Sequence, residues 1–297
     1  MPARLDDLSA SFRRDLRAEG RADRTATVYL QSVRFFSDWL AARDRPTTVD
    51  QLERAAIRAW LAELADRLEP STVVTRYKGL RRFCRWLHAE GEIDADPMAG
   101  MEVPKAVDKP VPLLSDDDLA ALLRGCAGKD FQSRRNEALL RFLLDTGCRV
   151  SEVCGLTVGD LDLNREAASV TGKGNKVRTV YFGARTARAL DRYLRLRAAH
   201  RLAHDPHLFL SQRGPFSPDG VRNLLTGIGA AAGVKDVRPH RFRHSWAHDF
   251  LLAGGQGPDL KRLAGWSTDT MLERYGSAGA DVRAREAVRR MRRGDRV

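Results

Sequence analysis

The sequence is poor in cysteine. Its four (Cys84, Cys126, Cys148, Cys154) include no Cys-x-x-Cys pair, which excludes a disulfide-stapled secreted fold and a zinc ribbon and predicts small buried thiols kept reduced. Long apolar runs are missing too. The longest mostly apolar stretch, Leu224 to Val234, is broken by three glycines and falls far short of the ~20 residues that a bilayer span needs. Met1 to Asp7 lack the apolar core of a signal peptide. Together these absences predict a cytoplasmic, nucleoid-associated protein with no membrane partner. Acids are also in deficit: 39 Asp and Glu face 51 Lys and Arg, a formal net charge of +12. That surplus calls for a polyanionic partner, nucleic acid before membrane. With 43% hydrophobic and 30% charged residues the chain is not disordered, and its 297 residues divide into two domains at roughly 150 residues each.

Residues 1–96 read as a helical domain. Leu5, Leu8, Phe12 and Leu16 recur at helical spacing, and Val28, Val33, Phe36, Trp39 and Leu40 form a second stripe. Thr48 to Asp50 is placed to cap a third helix through Ile57, Trp60, Leu61 and Leu64. Pro70-Ser71-Thr72 opens a fourth, with Val73, Tyr77, Leu80, Cys84 and Leu87 on one face and Gly91 at its end. Its other side has no acid before Glu90. Lys78, Arg82 and Arg85 fall at i, i+4 and i+7, flanked by Arg76 and Arg81. A solvated face is the ordinary source of a charge run, but such faces mix both signs. A run of cations alone predicts a DNA-binding surface that meets phosphates.

Residues 97–112 hold Pro97, Pro104, Pro110 and Pro112 among Gly, Lys and Asp. Proline lacks the donor that a helix or sheet interior requires, so an extended linker is expected. Residues 113–297 then mix classes. Ser115-Asp116-Asp117-Asp118 is a capped helix start rather than a metal site. Asn136 to Asp145 is a helix stopped at Gly147, and a short helix follows around Val150 to Cys154. Strands are expected at 160–163, 168–171 and 177–182, turned at Asn164-Arg165 and Gly172-Lys173-Gly174-Asn175. Helices are expected at about 184–199, 217–231, 240–253, 258–264, 268–275 and 281–292. The predicted fold class is mainly α, with a small antiparallel β-sheet in the second domain.

Taken singly, the chemical features are weak. Gly172-Lys173-Gly174 lacks the upstream glycine and the following Ser or Thr of a nucleotide-binding loop, which leaves a lysine at a hairpin tip. His240, His244 and His248 lie at i, i+4 and i+8, a span of ~12 Å that one ion cannot bridge. No Glu follows His240, and no carboxylate cluster offers a magnesium pair. Neighbouring Arg238, Arg241 and Arg243 repel a cation and attract a phosphate. No metal and no cofactor are expected. Tyr275 alone is an ordinary amphipathic packing residue.

In order along the chain, the same features read differently. Thr146-Gly147-Cys148-Arg149-Val150-Ser151-Glu152, the Gly172 to Lys176 hairpin, His240-Arg241-Phe242-Arg243-His244-Ser245, and Leu263-Ala264-Gly265-Trp266 followed by Tyr275 closely resemble the tyrosine recombinase (phage integrase) family, over the whole chain. The resemblance implies a helical core-type DNA-binding domain at 1–96 and a catalytic domain at 113–297. It implies Arg149 and Arg243 as the catalytic arginines, Lys173 as the hairpin lysine, His240 as the catalytic histidine, Tyr275 as the nucleophile and Glu152 as the supporting acid. Where most members have a second histidine this chain has Trp266, as some active members do.

The implied chemistry suits these residue types. Two guanidiniums offer forked donors to the nonbridging oxygens of a phosphodiester, so its transition-state charge is met without metal. A tyrosine hydroxyl, with an ordinary pKa near ~10, must lose its proton as it attacks, and His240 is one group that can assist. Lys173 can protonate the departing 5′ oxygen. Trp266 donates an N–H but cannot shuttle a proton. A 3′-phosphotyrosine conserves the phosphoester bond energy, so rejoining needs no ATP. The activity implied is site-specific recombination on double-stranded DNA. The chain is expected to be monomeric when free and tetrameric in the DNA synapse, joined there by the helix at 281–292. The Trp for His exchange and the free wording at Cys148, Phe242 and Ala264 lean toward a phage or mobile-element integrase using short core sites, with a Xer-like dimer resolvase as the alternative. A type IB topoisomerase, a non-catalytic DNA-binding regulator and a metal nuclease are the rivals outside these two.

Overall fold

The computed structural model describes residues 2–105, 111–172, 174–269, 272 and 280–296, and the chain divides into two compact units, Met1–Lys109 and Pro110–Val297. The first unit holds helices α1 (Leu5–Ala18), α2 (Asp23–Ala41), α3 (Arg54–Arg67) and α4 (Pro70–Ala89). Leu5, Phe12 and Leu16 of α1 are wholly buried, as are Tyr77, Leu80, Cys84 and Leu87 of α4, so the apolar stripes do face inward. Aromatic rings fill the centre: Phe12 meets Phe83 and Trp86 at 5.2 and 5.3 Å, and Phe36 meets Trp60 edge-on at 5.4 Å. The third helix starts later than its sequence predicts. Val49–Gln51 forms a 3₁₀ turn instead, whose three-residue period lets Val49 and Leu52 both be buried.

The proline-rich stretch is anchored at both ends. Met98 and Met101 are buried in the first unit, Tyr77 donates its hydroxyl to the Met101 carbonyl, and Arg54 donates to the carbonyls of Pro97 and Ala99. At the far end Leu114 is buried, its N–H bonded to Ser245 Oγ at 2.8 Å. The first residues expected in the linker therefore belong to the helical unit.

The second unit holds α5 (Asp116–Arg124), α6 (Phe131–Thr146), α7 (Val150–Gly155), strands β1 (Leu161–Asp162), β2 (Ala167–Thr171) and β3 (Val177–Tyr181), then α8 (Ala184–Ala198), α9 (Pro218–Ala232), α10 (Pro239–Leu252), α11 (Gly257–Ala264) and α12 (Ala280–Met291). Ser115 and Asp118 form a reciprocal capping box on α5, so the acidic triplet does serve a helix start. The strands make an antiparallel sheet in the order β1-β2-β3. Their register runs from Ala167 opposite Tyr181 to Thr171 opposite Val177, which puts residues 172–176 at the hairpin tip. The sheet and α6 enclose a core of Leu139, Phe142, Leu143, Val170 and Val180. No described helix is long and apolar enough to cross a membrane. The four cysteines are free, and burial raises the thiols of Cys126, Cys148 and Cys154 to about 11, far from reactive thiolates.

Candidate active site

The site begins at the end of α6. Gly147 takes the left-handed conformation (φ +55), and a Cβ there would lie 2.2 Å from the Trp246 ring. Only glycine can both turn the chain and let α6 and α10 come this close. The turn delivers Arg149 to the N-cap of α7. Glu152 reaches back one turn. Its carboxylate accepts the Arg149 backbone N–H at 2.8 Å and Arg149 Nη1 at 2.9 Å.

A second focus is the end of α11, where the chain leaves through Gly265 in the left-handed region (φ +64). The last carbonyls of a helix lack partners within it and carry the negative end of its dipole. Here arginines take them. Arg243, from α10, donates Nη2 to the Ala264 carbonyl and Nη1 to the Gly147 carbonyl, both at 2.7 Å. Arg149 donates Nη2 to the Gly265 carbonyl at 3.1 Å and directs Nη1 at the Ala264 carbonyl at 3.4 Å. The two arginines lie about a hundred residues apart in sequence, yet they meet on one carbonyl oxygen. Arg243 is 2% exposed and lies 5.3 Å above the Trp266 ring, itself buried, a cation–π contact that fixes the guanidinium plane.

A third arginine completes the cluster. Arg178, on β3, forks onto both Glu152 oxygens at 2.8 and 2.9 Å, and its Nε donates to the Leu263 carbonyl at 2.7 Å. Burial alone would raise the Glu152 carboxyl. The hydrogen bonds and charge of Arg178, with the donors of Arg149, outweigh that and hold it below its ordinary value. Glu152 is thus a buried, ionised carboxylate between two arginines.

Beside this cluster lies a cavity of about 630 Å³, lined by Arg149, Lys176, Arg178, Arg262 and Trp266 together with Gly172 and Gly174 of the hairpin. No acid stands among its described lining residues, so the cleft is cationic and its field favours an anion. Of the residues predicted for the site, the structure brings together Arg149, Glu152, Arg243 and Trp266. His240 is exposed in the first turn of α10, three residues before Arg243 and so on the same helical face. Lys173 and Tyr275 lie outside the described residues, as does most of the helix expected at 268–275. Among the described residues no group of His, Cys, Asp or Glu is arranged to hold a metal.

The basic face of α4 is less uniform than its sequence. Arg82 is ion-paired with Asp15 and Glu19 of α1. Arg81 leans on Tyr77, bonding its hydroxyl at 3.3 Å, and Arg76 lies over the Phe35 ring at 4.5 Å. Lys78 is exposed, and Arg85 is exposed with Asp96 only at 4.0 Å. The acids absent from the helix come from its neighbours in space.

The phage integrase family model matches residues 112–280, and a phage integrase N-terminal SAM-like domain matches residues 8–91. The chain belongs to the phage integrase family. Among its curated relatives is a tyrosine recombinase XerC of Mycobacterium sp. (strain JLS), 33% identical over 265 residues, 86% of this chain and 88% of that protein. The XerC of Mycobacterium tuberculosis (strain ATCC 25177 / H37Ra) is 34% identical over 267 residues, again 86% and 88% of the two chains. Two DNA-bound structures share the fold: the Tn1549 transposon integrase with transposon right end DNA (TM-score 0.76, 19% identity, 97% and 99% of the chains covered) and XerH with a palindromic difH substrate (TM-score 0.75, 15%, 94% and 84%). This tyrosine recombinase binds DNA, and it breaks and rejoins it. Sequence reasoning missed three cations of its cleft, Lys176, Arg178 and Arg262. For Arg178 a signal existed: it shares an inward face with Val180 on a period-two strand, where a cation demands a partner.

Proposed function

We propose that this tyrosine recombinase is a Xer-like site-specific recombinase that cuts each strand through a covalent 3′-phosphotyrosine on Tyr275, without metal or ATP. The observation that carries the reading is the convergence of Arg149 and Arg243 on the Ala264 carbonyl at the edge of a cationic cleft. Guanidiniums held by fixed carbonyls are preorganised, so they need not reorient as charge builds on the phosphate. Arg149 and Arg243 hold the nonbridging oxygens, Trp266 supports the phosphate, His240 assists removal of the Tyr275 proton and Lys173 protonates the leaving 5′ oxygen. Tyr275 Oη forms the new bond to phosphorus as the bond to the 5′ oxygen breaks. Reversal by a new 5′ hydroxyl rejoins the strand.

The XerC relatives, matched along most of both chains, favour the Xer-like reading over the mobile-element integrase toward which the motif wording leans. The tail fits assembly on DNA. Val288 and Met291 of α12 are 63% and 57% exposed, a small apolar face open on the single chain. So small a face binds a neighbour weakly until DNA raises the local concentration, which supports a free monomer and a tetramer in the synapse.

The reading is tested with a pool of nicked duplexes of randomised sequence, incubated with the protein and EDTA. A covalent protein–DNA adduct enriched in one short site is expected. No adduct, or one that needs added metal, contradicts the mechanism. Two direct copies of the recovered site on one plasmid then separate the two roles: efficient deletion between like sites supports a resolvase, and a strict need for two unlike sites identifies an integrase.

A further inference from the structure

We propose that Arg178 is a positioning residue for cleavage: it clamps Glu152 and the end of α11 together and thereby sets the plane of the Arg149 guanidinium. The inference rests on Arg149 acting at the phosphate. Three of the elements that carry the site meet at Arg178: β3, on which it lies, the turn into α7, and the end of α11. Its Nε is spent on the Leu263 carbonyl, and its two terminal nitrogens on the two oxygens of Glu152. Each of those oxygens also takes one donor from Arg149, Oε2 the backbone N–H and Oε1 the Nη1.

The carboxylate is therefore shared symmetrically by two arginines. Held by Arg149 alone, the carboxylate would have one donor on each oxygen, and the Arg178 fork adds a second to each. With the Arg178 fork in place both oxygens are fixed, and Arg149 keeps Nη2 on the Gly265 carbonyl at 3.1 Å. The packing is close. A Cβ on Gly265 would lie 3.1 Å from Arg178 Nη1, and one on Gly172 would lie 3.3 Å from Glu152 Oε1. The hairpin base and the α11 exit thus both close on this ion pair. Arg178 has 13% of its side chain exposed, against 34% for Arg149. All three Arg178 nitrogens are bonded within the protein, and of the two arginines on Glu152, Arg149 is the more open to a phosphate.

The test is a mutant cycle in single-turnover cleavage of a nicked substrate, with DNA affinity measured at several salt concentrations. Arg178→Met is expected to slow adduct formation on the order of 10-fold or more, with site affinity within a few fold, and Arg178→Lys to recover part of the rate. The salt slope of binding should not change, because no phosphate contact is lost. In an Arg149→Ala background, Arg178→Met should slow cleavage no further, because a residue that acts through Arg149 has nothing left to position. Independent, multiplicative losses overturn the proposal, as does a salt slope lower by about one unit, which makes Arg178 a direct phosphate ligand. Should Arg178→Met fail to fold, Arg178→Lys carries the same cycle. Arg149→Ala cleaving at the parental rate would instead sink the catalytic reading beneath it.

Discussion

The helical unit's α4 face and the candidate active site use arginine in different ways. In the helical unit Arg82 meets Asp15 and Glu19, and Arg43 meets Glu63 and lies over the Trp39 ring. Each such pair is exchangeable and solvated, worth ~0.2–1 kcal/mol. In the catalytic unit Arg149, Arg178 and Arg243 are directed at backbone carbonyls and at one buried carboxylate. Backbone carbonyls carry no formal charge, so they hold a guanidinium in place without cancelling its field. The single Glu152 carboxylate is shared by Arg149 and Arg178, and Arg243 rests on carbonyls alone among its bonds described above. The three cations are therefore only partly neutralised and keep positive charge for a transient anion. The contrast separates cations neutralised by surface acids from a cluster that keeps net positive charge beside the cleft.

The sharpest way to break the contrast is at the nucleophile. Tyr275→Phe should abolish covalent attachment while site binding stays within a few fold, because one hydroxyl is lost and the basic surfaces are kept. Gel analysis of adducts beside a binding titration reads both. Next come the carbonyl-held arginines. Arg149→Ala and Arg243→Ala should each slow cleavage by ~10² or more, the scale for losing one preorganised donor. Loss of Arg243 also empties buried space over Trp266, so its melt must be followed in parallel.

Removal of residues 281–297 should leave single-site binding and the thermal melt nearly unchanged while recombination falls. A lost cooperative melt would assign the tail to its own core. In the helical unit the effects shrink. Lys78→Ala with Arg85→Ala should flatten the salt dependence of binding by up to ~2 units of slope. Arg82→Ala should leave the slope alone and cost ~0.2–1 kcal/mol of stability, since its partners are Asp15 and Glu19. An equal slope change from Arg82 would erase the distinction between the two kinds of cation.

The smallest effect is the pH dependence of Glu152. Its folded pKa lies below the ordinary 4.5. The stability it contributes is therefore fully present above pH 4.5 and is lost as pH falls through the lower folded value. Glu152→Gln should flatten that acid limb in pH-dependent unfolding.

How much of this was legible in the sequence follows from which forces are local. Apolar stripes at Leu5, Phe12 and Leu16, the proline start of α4 and the Gly147 stop are read directly, because periodicity and backbone sterics act over a few residues. The order of Arg149, His240, Arg243 and Trp266 exposed the site through resemblance. Partners distant in sequence stayed hidden. No local pattern pairs Arg82 with Asp15, Arg54 with Pro97, or Arg178 with Glu152 and Leu263. The 3₁₀ turn at Val49–Gln51 was missed for the same reason, since two buried side chains overrode a plausible cap.

The central claim is that the arginine cluster at the end of α11 serves a tyrosine that becomes covalently joined to DNA. The most direct measurement is peptide mapping of the adduct formed on a nicked substrate in EDTA, with the DNA-bound peptide sequenced by mass spectrometry. The account predicts a 3′-phosphate ester on Tyr275, formed at an undiminished rate under chelation. A DNA-linked peptide that lacks Tyr275, or strand cleavage that proceeds with no adduct and stops in EDTA, would contradict it.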